Sequence, residues 1–188
     1  KAQYLFGHSY GGLIALESVR NNDLFKKIAV YDPGVDVDGA IEMSWTTRYK
    51  KLVANGKPLA ALALFSKISG PEKAKKTPLW LMQIMLPFFI NKNRRKQMFS
   101  LLPSNLSEHI EVANKNNSYP NYSGISAEVL LMKGGASDLV YVEKAIRALS
   151  EVLPSYEIIT FPKLGHFAPD QTAPLEIARA LKNFFKEL

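Results

Sequence analysis

Cysteine is absent from the 188 residues, which excludes a disulfide framework and any thiolate-held metal site. Histidine occurs only three times, so candidates for a general base are few. No apolar run reaches the roughly 18 to 20 residues that a membrane-spanning helix needs, and the opening residues lack the charged start and apolar centre of a secretory signal. These absences fit a cytoplasmic enzyme with no metal and no cofactor. What is present is ordinary globular composition, 47% hydrophobic and 22% charged, enough for a substantial core. The first residue is lysine and an apolar strand begins almost at once, so further structure upstream is expected.

Acidic residues are scarce in the middle of the chain. Residues 42–126 hold 13 Lys+Arg against 4 Asp+Glu, whereas the remainder holds 11 against 13. The clusters Lys73-Ala74-Lys75-Lys76 and Lys92-Asn93-Arg94-Arg95-Lys96 lack the interleaved aromatics of a nucleic-acid binder. They read as solvated helix ends, and no nucleic-acid partner is expected.

Strand and helix periods alternate along the two ends of the chain. Ala2 to Phe6 is β-prone and stops at Gly7, after which Leu13, Ile14, Leu16 and Val19 follow at the spacing of a buried helix face. Lys26 to Tyr31 reads as a second strand, closed by the turn Asp32-Pro33-Gly34. A βαβ unit of this kind favours parallel strands. Beyond residue 34 the pattern becomes helical with scattered prolines, and residues 35–126 read as an inserted helical lid. The sheet resumes with Glu128 to Lys133, followed by a helix with Val142, Ile146, Leu149 and Leu153 on one face. A strand from Tyr156 to Phe161 and a last helix starting near Pro174 complete the chain. The expected fold is therefore α/β: a mostly parallel sheet flanked by helices, with a core of residues 1–34 and 127–188 interrupted by the lid.

Chemistry concentrates at three strand ends. Gly7-His8-Ser9-Tyr10-Gly11 is a Gly-x-Ser-x-Gly pattern that arises by chance about once in 3,000 positions. Its place between a strand and an apolar-faced helix gives it the context it requires. The glycines are expected because larger side chains would clash in so sharp a turn. A serine hydroxyl needs a base within hydrogen-bond reach, and that base needs an orienting partner. His8 is expected to project away from Ser9, and His109 to be an ordinary surface residue. His166, in Leu164-Gly165-His166-Phe167 just after the last strand, is the expected base. Two acids follow strands: Asp138 after Gly134-Gly135-Ala136-Ser137, which is preferred, and Asp32, which its turn would explain without catalysis.

On these three segments the chain resembles the α/β-hydrolase superfamily, in its branch of lidded esterases, lipases and related small hydrolases. The resemblance covers residues 1–34 and 127–188 and implies catalytic Ser9, Asp138 and His166, in the order that superfamily uses. It also implies that the backbone N–H of Tyr10 is one oxyanion donor, with the second from a loop upstream of the elbow. Serine at the elbow implies acyl transfer to water from a small-molecule ester, thioester or amide. Other uses of the same three residues, as an acyltransferase or carbon–carbon hydrolase, stay open, as does a binding or signalling protein with little turnover. The apolar run Leu79 to Ile90 is expected to pack over the core as a lid helix. An acyl-binding wall for a hydrophobic substrate and a membrane-surface contact are the alternatives.

Overall fold

The computed structural model describes residues 2–70, 72–136 and 139–186. Four strands, β1 (Tyr4–His8), β2 (Lys27–Tyr31), β3 (Glu128–Gly134) and β4 (Tyr156–Phe161), form one parallel sheet in sequence order. The helices are α1 (Tyr10–Val19), α2 (Thr46–Ala54), α3 (Pro58–Ser69), α4 (Glu72–Lys76), α5 (Leu79–Phe89), α6 (Lys92–Asn114), α7 (Val140–Val152) and α8 (Pro174–Phe185). The chain divides into two compact units, Lys1–Ile41 with Val112–Leu188, and Glu42–Glu111. Residues 35–41 and 112–126 thus pack with the sheet.

In the sheet unit, successive side chains of β2 and β3 point to opposite faces. Ile28, Val30, Val129 and Leu131 meet Leu13, Leu16 and Val19 of α1 and Val142, Ile146 and Leu149 of α7. Ala29, Tyr31, Leu130 and Met132 meet Ile177 and Phe184 of α8 on the other side. With both faces covered, these two strands read as continuous apolar runs instead of alternating ones. Each fully buried aliphatic side chain contributes about 1.5–3 kcal/mol. Two expectations change. Ile14 is 52% exposed, because it lies about 100° round the helix from Leu13 and off the buried stripe. β1 also does not stop at Gly7: Gly7 and His8 pair with Val30 and Tyr31, which carries the strand to the residue before Ser9.

The second unit is helical and has its own core of Trp45, Tyr49, Ala61, Leu62, Leu64 and Leu102. Tyr49 is fully buried, and its hydroxyl donates to the carbonyl of Leu102 at 3.1 Å. His109 belongs to this packing instead of the open surface. Its ring stands edge-on to Trp45 and Phe65, at 5.1 and 5.5 Å, and its Nδ1 lies 2.8 Å from the carbonyl oxygen of Asn105. α5 also departs from expectation. Of its apolar run only Met82 is buried, while Trp80, Ile84, Met85, Phe88 and Phe89 are exposed. At the start of α6, Lys92, Arg94 and Lys96 are exposed as expected of a solvated helix end. Arg95 instead turns inward and donates to the carbonyls of Pro87 and Ile90 at 2.6 and 2.7 Å. Among the described residues, no helix is long and apolar enough to cross a membrane.

Candidate active site

β1 ends at His8 and α1 begins at Tyr10, so Ser9 alone makes the turn, with φ 56° and ψ −121°. A side-chain-bearing residue held there stores on the order of 1–3 kcal/mol of strain. The surrounding backbone holds it in place. The Ser9 N–H donates to the carbonyl of Tyr31 at 3.0 Å, and its carbonyl accepts from Gly12 and Gly34 at 2.9 and 2.8 Å. Strand and helix cross so closely that a Cβ on Gly7 would overlap the carbonyl oxygen of Gly11. A Cβ on Gly11 would meet no atom within 4 Å. The expected steric need for glycine therefore holds at Gly7 and not at Gly11.

Asp32 directly follows β2 and is also held at positive φ, 42°. Its carboxylate is fully buried, a state that is tolerable only with hydrogen-bond partners. Oδ1 accepts from the Gly134 N–H at 3.0 Å, and Oδ2 lies 3.0 Å from His166 Nδ1. His166 stands in the loop after β4, where the Tyr31 hydroxyl donates to the carbonyl of Gly165 at 2.9 Å. The Ala136 N–H donates to the carbonyl of Leu164, also at 2.9 Å. These contacts pin the loop to β2 and to the end of β3. His166 Nε2 then lies 3.2 Å from Ser9 Oγ. One continuous chain of contacts runs from Asp32 through His166 to Ser9, at the carboxyl ends of the strands, where open α/β sheets place ligands.

Of the residues singled out from the sequence, Ser9 and His166 are thus brought together. The carboxylate at His166 is Asp32, while Asp138 lies outside the described residues. The Tyr10 N–H opens α1 and has no carbonyl one turn earlier in the helix to bond.

Three further side chains shape the site and carried no signal in the sequence beyond their neighbours. The ring of His8 packs 4.7 Å from that of His166. Burial, and then the nearby His166, lowers its pKa, so it stays neutral where an isolated histidine would begin to charge. Its Nε2 is buried without a hydrogen-bond partner among the described residues. The Tyr31 hydroxyl is raised well above the usual phenol range by burial and by Asp32, which keeps it a donor. Tyr141 of α7 is raised by burial and then by Asp32, while an interaction with the Ser9 side chain pulls the other way. Among the described residues, no three His, Asp or Glu side chains gather in a way that could hold a metal ion.

Comparison with known proteins agrees with this architecture. An alpha/beta hydrolase from Sphaerobacter thermophilus DSM 20745 superposes with a TM-score of 0.70 at 20% identity, covering 97% of this chain and 67% of that one. A bromoperoxidase from Bacillus anthracis gives a TM-score of 0.69 at 17% identity, covering 98% and 67% of the two chains. A thermophilic esterase from Thermogutta terrifontis gives 0.64 at 16%, covering 96% and 63%. The chain therefore spans about two thirds of the length of these structures, and at such identities they share its fold. No curated protein matches by sequence. The model of the alpha/beta hydrolase family matches residues 1–180, and the chain belongs to that family.

Proposed function

We propose that the protein is a serine hydrolase that cleaves a carboxylic ester or related acyl bond of a small molecule through an acyl-enzyme. The observation that carries this reading is the contact chain from Asp32 Oδ2 through His166 to Ser9 Oγ. Ser9 Oγ attacks the acyl carbon as His166 Nε2 takes its proton. The imidazolium formed is stabilised by the buried Asp32 carboxylate at Nδ1 and returns the proton to the leaving group. Water then repeats the sequence against the acyl-enzyme and frees Ser9. The Tyr10 N–H, adjacent to the nucleophile, supplies one donor to the tetrahedral oxyanion, and such a donor is worth about 10²–10³ in rate.

Covalent labelling by a fluorophosphonate, together with turnover of an activated ester, tests this. Ser9→Ala should abolish both, and Asp32→Asn should slow turnover by about 10⁴ by leaving the imidazole in the wrong tautomer. Asp138→Asn should cost far less. If Asp138→Asn gives the large loss and Asp32→Asn the small one, the acid is Asp138. Labelling that survives Ser9→Ala removes the nucleophile assignment.

A further inference from the structure

α5 exposes apolar surface along most of its length. Trp80, Ile84 and Phe88 recur every four residues and so share one side of the helix, with Met85 and Phe89 beside them. Phe88 is 83% exposed and Phe89 76%, so the helix ends in two adjacent aromatic rings held in solvent. A patch of this kind marks an interaction surface. The segment around it has one sign of charge: residues 73–107 contain seven Lys+Arg and no Asp or Glu.

The placement of the cations is informative. Lys92, Arg94 and Lys96 open α6, whose first turn carries no acidic residue. Cations at a helix N-terminus oppose its dipole and weaken the helix, so the stability of α6 does not account for them. Arg95 is explained by its two carbonyl bonds to the end of α5. Those same bonds lock the corner between the helices, which keeps the three exposed cations within a few residues of Phe88 and Phe89.

We propose that this corner, the apolar face of α5 with Lys92, Arg94 and Lys96, docks the protein on an anionic lipid bilayer. Aromatic and aliphatic side chains that enter the acyl boundary beside cations that meet the headgroups are the combination an interfacial helix uses. A second copy of this chain fits less well, since a two-fold contact would set two basic clusters face to face. The surface binds a membrane without crossing it, and it is independent of the hydrolytic reading.

The two tryptophans give a built-in probe, because Trp45 is 6% exposed and Trp80 63%. The protein is mixed with vesicles of phosphatidylcholine alone, or of phosphatidylcholine with phosphatidylserine, and both sedimentation and tryptophan emission are read. Binding is expected only to the anionic vesicles, with a blue shift in emission that Trp80→Phe removes. Added salt should weaken it. Lys92→Glu with Arg94→Glu should lower partitioning by roughly fivefold for each cation lost. Phe88→Ser with Phe89→Ser should lower it by more than tenfold, from the apolar area removed. These positions are exposed, so unchanged circular dichroism should accompany every variant. No binding to anionic vesicles, binding indifferent to either double substitution, or binding without a shift of Trp80 emission would each overturn the proposal. So would dimerisation without lipid that Phe88→Ser with Phe89→Ser dissolves.

Discussion

Gly7 and Gly11 occupy matching places in the Gly-x-Ser-x-Gly pattern but do different physical jobs. Gly7 marks where β1 and α1 touch, since a Cβ there would overlap backbone that cannot move. Gly11 lies in the first turn of α1 with open space where its Cβ would go. Gly7→Ala is therefore expected to prevent formation of the elbow and leave little soluble protein. Gly11→Ala should raise stability by up to about 1 kcal/mol through helix propensity. Urea unfolding of the two variants checks both signs, and equal losses would show that the turn needs glycine at Gly11 for a reason other than space. The same contrast explains what could be read from the residues alone. Ser9 and His166 stood out because each follows a strand with a distinctive neighbourhood. Asp32 and Asp138 both follow strands too, and nothing in their spacing along the chain tells which of them meets His166. The short turn Asp32-Pro33-Gly34 hid the contact between Asp32 and His166, since turn chemistry alone accounts for an aspartate there.

Among the elements, strands were legible to within a residue or two, because β2 and β3 are apolar on both faces and end at turn residues. The helices of the sheet unit were legible through their period. α5 was not, because a run apolar on every side has no period to show which side is buried. Its end is set by an arginine from the next helix. Arg95→Ala removes two charge-assisted bonds to the last carbonyls of α5 and should cost about 1–3 kcal/mol. Arg95→Lys should recover part of this, because both bonds come from the single nitrogen Nη1 and one ammonium also carries enough N–H donors for two carbonyls. Denaturant midpoints of the two variants distinguish the outcomes, and a neutral Arg95→Ala would show that the corner is held by packing alone.

At the scale of the whole molecule, the two units bury separate residues, one unit in clusters on the two faces of the sheet and the other in a cluster among the helices of Glu42–Glu111. Leu62, 2% exposed in the second core, tests their independence. Leu62→Ala should cost that unit about 2–5 kcal/mol. Amides of α2 and α3 should then lose hydrogen-exchange protection while those of β2 and β3 keep theirs. Loss spread evenly over both would mean that the cores unfold as one. The strained backbones of Ser9 and Asp32 bear on the same balance. With a folded protein stable by only about 5–15 kcal/mol, two residues held at roughly 1–3 kcal/mol each are a standing debit. A chain drifting without a task would shed both, since glycine would relax either turn. Selection for heat tolerance alone would therefore erase this site before it touched the core, and a thermostabilised variant should be screened for retained turnover at every round.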